Sequence, residues 1–301
     1  MDFQAYIQYI TEDDLKIIAF PVFFLAIVLE YAYERKTEID LYDKRDFISS
    51  IWMLVFTILV EGVFLFLALI AFYFLHSISP LADIVGRQWW AWLILLFADD
   101  FVYYLFHRSN HEVRLFWAGH VPHHSAIKMN FGTAIRQGVG ERFHKFFFWL
   151  IIPLLGFDPM MILTVMSINL IYQFWVHTEL VGKLHPAIEY IFNTPSHHRV
   201  HHASNIRYLD CNHAGIFIIW DRWLGTFSGE LDIDKPIYGL TENITRFDPI
   251  HVATHEYKAI WKDVKKAPTL SDKLKYIFYA PGWSHDGEDK RAKTLRAQMG
   301  L

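Results

Sequence analysis

Residues 89–124 read WWAWLILLFADDFVYYLFHRSNHEVRLFWAGHVPHH, and the fold turns on this stretch. Its first part, 89–106, is apolar except for Asp99 and Asp100, and approaches the roughly 20 residues a helix needs to cross a hydrocarbon core. The apolar run then continues without a breaker into histidines. Asp100, Tyr104, His107 and His111 follow one another at steps of four, three and four, one stripe of a continuous helix. Asp99 points about 100° away from that stripe. The sequence therefore predicts a membrane helix that delivers a row of polar ligands where it leaves the bilayer.

Outward from this run, further apolar stretches cover about 17–33, 47–76, 143–157 and 159–176. The first two and 89–106 are the spanning candidates. The last two are joined by Gly156-Phe157-Asp158-Pro159, a turn tight enough to make them a helical hairpin, fully spanning or re-entrant. Arg35, Lys36, Lys44 and Arg45 crowd segment 34–46, whereas 77–88 carries only Arg87, which puts 34–46 in the cytosol. Alternation then gathers all the histidine clusters and the C-terminus on that side. The expected fold is all-α and integral to the membrane, with about four transmembrane helices, the last two as the hairpin, and a cytosolic helical cap. Residues 1–230 form the catalytic domain. Residues 231–301, including a surface helix from His251 to Lys266, form a tail packed on or near the cap.

Composition agrees with a bilayer setting. Of the 301 residues 53% are hydrophobic and 17% aromatic, above the usual share for a soluble domain. A net charge of -4 supplies no basic surface for a nucleic-acid partner. The single cysteine, Cys211, excludes an intrachain disulfide and a thiolate zinc site. The acidic start (Asp2, Glu12, Asp13, Asp14) is the reverse of a secretory signal, so the first apolar run is expected to be retained.

The 17 histidines concentrate in three clusters: His107 and His111; His120, His123 and His124; His197, His198, His201 and His202. Residues three and four apart share a helix face, so each cluster can aim two or three imidazoles at one point. Neutral imidazole suits iron, copper, zinc or nickel. A catalytic zinc needs about three protein ligands and a structural one four, so this many histidines imply two ions. Their charge near a low-dielectric phase calls for carboxylates or bound oxide nearby. Asp100, Glu112 and Glu179 are the candidate catalytic carboxylates, with Asp210 as an outer partner that fixes an imidazole tautomer. Glu61, inside an apolar run, is a functional candidate because of its depth. His76, His144, His185, His251, His255 and His285 lack partners at ligand spacing and read as surface or interfacial residues.

The order HxxxH (His107, His111), HxxHH (His120, His123, His124) and HxxHH (His198, His201, His202) resembles the fatty acid hydroxylase / sterol desaturase superfamily over roughly residues 95–230. The strings HEVRLFWAGHVPHHS, TAIRQ, YQFWVHTE, NTPSHHRVHH and WDRWLGTF are most similar to its alkylglycerol-oxidising branch. The resemblance adds His177 to the ligands and leaves His197 outside them. It places Gln173, where relatives carry histidine, as an outer contributor, and makes His213, where they carry tyrosine, a packing residue or a further site residue. It implies two iron ions that activate O2 and hydroxylate an alkyl carbon of a lipid, here the ether-adjacent carbon of an alkylglycerol, with collapse to a fatty aldehyde. Tetrahydrobiopterin or an electron-carrier protein is the implied reductant. A multi-pass location in the endoplasmic reticulum or a bacterial inner membrane follows. Desaturation of a sterol or fatty acyl chain at the same centre is the first alternative. A metal-handling transporter is a weaker one, since most histidines lie outside the apolar runs and no repeat is visible.

Overall fold

The computed structural model describes residues 14–300. The acidic stretch through Asp13 lies outside the described residues. Those described are helical, with two isolated bridges and no strand. Helix α1 is Asp14–Thr37, α2 Lys44–Ser77 and α3 Trp89–Glu112. The Asp43 side chain starts α2 by accepting from the amides of Arg45 and Asp46 at 2.9 and 3.0 Å. At a rise of about 1.5 Å per residue, the 34 residues of α2 and 24 of α3 exceed a hydrocarbon core of about 30 Å. Among the described residues these two helices are long and apolar enough to cross a membrane. Their outer faces are apolar, with Leu59, Val63, Phe74, Leu93 and Ile94 exposed.

The run 143–157 does not form one helix. A 3-10 turn (Val139–Phe143) leads into two short helices, α5 (Lys145–Trp149) and α6 (Ile151–Leu154). Pro153 has no N–H for the ladder, so the helix breaks one turn before it. Gly156, at φ +90, closes the turn. Asp158 then caps α7 (Pro159–Trp175), accepting from the amides of Met160 and Met161. That turn meets the one after α2, where Ser79 Oγ donates to the Leu154 carbonyl at 2.7 Å and Arg87 pairs with Asp158 at 2.9 Å. The two turns therefore share one end of the molecule.

The histidines occupy the other end, on α3, on α4 (Arg114–His124), just past α7 and on α8 (Pro195–His201). A single extended residue, Val113, ends α3 and begins α4. Helix α9 (Ile219–Leu224) follows, and the C-terminal residues wrap this end through α10 (Pro249–Lys266) and α11 (Leu270–Phe278). Arg114 holds the wrap, pairing with Glu256 at 2.7 Å and Asp263 at 2.8 Å, while its amide donates to the Tyr279 carbonyl. Ser49 on α2 donates to the Phe247 carbonyl, and Arg296 reaches Cys211 Sγ at 3.1 Å.

Candidate metal centre

Nine buried histidines converge in two groups. His107, His111, His120, His124 and His201 offer nitrogens that all lie within 4.8 Å of one another, and so do His123, His177, His198 and His202. Helical spacing explains the sorting. On α3 and α4 the pairs four apart, His107 with His111 and His120 with His124, serve the first group, while His198 and His202 serve the second. The odd residue of each cluster, His201 or His123, crosses to the other group. The groups are adjacent, with the rings of His124 and His202 stacked at 4.4 Å.

The hydrogen bonds decide which nitrogen faces inward. Nδ1 of His107 donates to the His213 carbonyl at 2.8 Å, of His123 to Arg136 at 3.2 Å, of His177 to Gln173 at 2.7 Å and of His201 to Cys211 at 2.9 Å. His111 Nδ1 donates to Asp210 Oδ1 at 3.3 Å, and His120 Nδ1 to Glu141 Oε1. These acceptors fix the tautomer, leaving each Nε2 with a lone pair and no proton. Nevertheless Nε2 of His107 and His120 lie 3.0 Å apart, as do those of His120 and His124. In the second group His177 Nε2 is 3.2 Å from His123 Nε2 and 2.9 Å from His198 Nε2. Where both tautomers are fixed, at His107–His120 and His123–His177, the facing lone pairs repel unless a cation lies between them. Metal–nitrogen bonds of about 2.0–2.1 Å set neighbouring ligands roughly 2.8–3.4 Å apart at octahedral or tetrahedral angles. The buried Nε2 atoms of His111 and His201 have no hydrogen-bond partner, which fits the same purpose. Burial, and then the neighbouring imidazoles, hold His123, His124, His198 and His202 well below the ordinary histidine range, and burial pushes His177 to about 4. They are neutral donors at neutral pH, and the residues present fit two divalent cations.

A short segment braces the first group. Asp210 and Asn212 adopt left-handed φ values of 53 and 60, which turn the chain so that Asp210, Cys211 and His213 present acceptors to His111, His201 and His107 in turn. The Asn212 side chain locks this kink by donating to the carbonyls of His197 and Ser228. The His213 ring packs 5.0 Å from His111 and 5.6 Å from His201, outside both groups. His197 is also outside them, its Nε2 3.0 Å from Glu189.

The candidate carboxylates sit elsewhere than expected. Asp100 does not face the histidines. It accepts from the amides of Ile216 (2.6 Å) and Phe217 (2.9 Å), from the Trp220 indole and from Asn169, pinning the chain beyond His213 to α3. Asp99 binds Trp149 and Asn169 in the same interior. Glu112 pairs with Arg108 at 2.8 Å, Glu179 bonds Tyr238, and neither contacts a ligand imidazole. Gln173 contributes its carbonyl to His177, while its side chain bonds Asn169. His144 is half-buried rather than superficial, donating to Asn110 at 2.7 Å. Sequence reasoning missed Glu141, Arg136 and Glu30. Glu141 reaches His120 because α4 meets the 139–143 turn at Gly119, where an added Cβ would lie 2.8 Å from the Glu141 nitrogen. Arg136 is fully buried, ties Pro122, Asp46 and Ser125 together, and turns its carbonyl to His123. Glu30 on α1 takes bonds from Tyr42, Phe131 and Thr178, beside His177.

A cavity of about 480 Å³ rises between α1, α2, α3 and α7 and ends on His120, His123, His177 and His198. Its walls are mainly apolar, with Phe20, Leu54, Ile58, Leu65, Met166 and Leu170 among them.

Residues 92–226, which contain all nine histidines and both groups, match the fatty acid hydroxylase family profile. This part of the chain is similar to that family. The chain is 37% identical over 263 residues to alkylglycerol monooxygenase of Xenopus tropicalis, covering 87% of this chain and 58% of that protein. The human alkylglycerol monooxygenase is 45% identical over 195 residues, 64% of this chain and 43% of its own length. Ornithine lipid hydroxylase of Rhizobium tropici is 25% identical over 156 residues, 49% of this chain and 44% of the relative. The chain thus spans about half the length of the relatives it matches. No solved structure matches it.

Proposed function

We propose that this chain is an integral-membrane monooxygenase that inserts one atom of O2 into an alkyl carbon of a lipid, at a centre of two iron ions. The observation that carries the proposal is the apolar cavity that ends on ligand-type histidines of both groups. In this reading His107, His111, His120, His124 and His201 hold one ion, and His123, His177, His198 and His202 hold the other. When bound, the pair supplies reductive activation of O2, which neutral imidazoles and a fixed geometry support. The chain's own residues do the rest. Six Nδ1–H groups, held by carbonyls and carboxylates, keep the rings oriented. Apolar walls align the alkyl chain and exclude water from the reacting carbon.

The names of the relatives support an ether lipid as substrate. Hydroxylation of the carbon bearing the ether oxygen gives a hemiacetal. Its carbon–oxygen bond to glycerol then breaks, the hydroxyl proton passes to the departing oxygen, and a fatty aldehyde remains. One oxygen atom of O2 enters the lipid and the other leaves as water, using two electrons and two protons from a reductant, tetrahydrobiopterin or an electron-carrier protein. The reading includes about four membrane-embedded helical segments, with the histidine end cytosolic, in the endoplasmic reticulum or a bacterial inner membrane. The test supplies alkylglycerol, labelled O2 and tetrahydrobiopterin to iron-loaded protein, with formation of labelled fatty aldehyde as the expected result. A product bearing only a new double bond would establish desaturation instead.

A further inference from the structure

The mainly apolar wall of the cavity carries a group of charged side chains that the histidine chemistry does not use. Glu61 on α2, Arg142 in the 3-10 turn and Lys145 at the start of α5 all line it. Their neighbours Asp99 and Glu141 are already engaged, by Trp149 and Asn169 and by His120 respectively. Arg142 is 7% exposed, and its Nε lies 3.0 Å from Glu61 Oε2, an ion pair without the alignment of a hydrogen bond. Among the described residues no hydrogen bond or ion pair fixes the Lys145 ammonium; the Trp149 ring lies 5.7 Å away, and the carboxylates of Glu61, Glu141 and Asp99 act on it through space. An ammonium has three donors and no acceptor, and beside mainly apolar walls it is best satisfied by further oxygen atoms.

We infer that Lys145, with the Arg142–Glu61 pair beside it, binds the oxygen-bearing polar end of the lipid inside the cavity and so sets which alkyl carbon meets the metal centre. The inference rests on the proposed lipid monooxygenase and names its specificity determinant. Lys145 and Arg142 provide donors and Glu61 an acceptor, a set that suits hydroxyl, ether or phosphate oxygens. Glu141 and Arg142 are consecutive, and Glu141 touches His120. A head held at Arg142 and Lys145 therefore leaves the first carbons of its chain nearest the histidines, and the remaining tail runs along the apolar wall.

The test is equilibrium binding of tritiated hexadecylglycerol, hexadecyl phosphate and hexadecane to the iron-loaded full chain in detergent, without reductant. The wild type is expected to bind at least one of the two headed lipids about tenfold or more tighter than hexadecane, the range of a charge-assisted hydrogen bond. K145M is expected to lose that preference while keeping hexadecane binding and metal content, and K145R to keep most of it. Preference for the phosphate identifies an anionic head, preference for the glycerol a neutral one, and either supports the inference. Equal wild-type binding of headed and headless lipids overturns it, as does a preference that survives K145M. Because no turnover is measured, failure of the monooxygenase assay would leave this result standing, and failure here would leave that assay untouched.

Discussion

A carboxylate that touches no metal decides how His120 presents its lone pair. Glu141 accepts the Nδ1 proton, so removing the acceptor with Glu141→Ala frees the ring to turn and to change tautomer. Metal affinity or turnover should drop roughly ten- to a hundredfold, read by metal content and kcat, with the fold retained. Asp100 belongs to a different class. Asp100→Asn would set an amide NH2 against donors from Ile216, Phe217 or Trp220, costing about 1–3 kcal/mol of stability while leaving metal per folded chain unchanged. Metal loss at unaltered melting temperature would show that Asp100 acts on the ions. His197→Ala should likewise retain metal in both groups and partial activity, because its ring is spent on Glu189. At this scale the sequence showed the histidines and, in Asp210, one of their partners, but not Glu141 or the backbone acceptors. Imidazoles repeat at helical spacings that can be counted, whereas Glu141 lies 21 residues from His120 and Asp100 lies 116 from Ile216, and no local pattern encodes such pairs.

Segment 210–213 supplies acceptors to three of the five imidazoles in the first group, and its left-handed residues are the means. Asn tolerates that conformation better than other residues with side chains, and Asn212 also satisfies two buried carbonyls and the Ser228 amide. Asn212→Val should therefore destabilise the protein by on the order of 2–4 kcal/mol, combining backbone strain with unmade hydrogen bonds. The first group should lose its ion before the second, which metal titration of the variant can resolve. The same scale shows where apolar pattern and helix diverge. Runs 47–76 and 89–106 became single helices because nothing within them interrupts the ladder. Run 143–157 became two short pieces because Pro153 removes a donor and Gly156 turns the chain. The interruption that Pro153 marks in the sequence is present, and Phe143, Phe147, Ile151 and Leu155 lie exposed along the run. Helix α10, expected from His251 to Lys266, begins two residues earlier, at Pro249, where Asp248 caps it.

For the whole molecule the governing fact is that its two ends differ. The turns at 77–88 and 155–158 bond to each other at one end, while the histidines, α4, α8 and the C-terminal wrap gather at the other. If the nine imidazoles are held apart by cations, chelation should leave facing lone pairs unbalanced. The melting temperature should then fall, and two equivalents of ferrous iron per chain should restore it. The arrangement of the ends also predicts topology. Segment 34–46 carries four basic residues against one in 77–88, so the histidine end should face the cytosol. Cys211 is buried and gives little background for thiol labelling. A cysteine placed at Asp83, beside the 77–88 turn, should react with a membrane-impermeant maleimide added to intact cells. One placed at Lys262 on α10 should react only after the membrane is opened. Labelling of both from the same side would defeat the topology, because α2 and α3 would then not carry the chain across, and the cavity would have to open to lipid by some route other than between membrane helices.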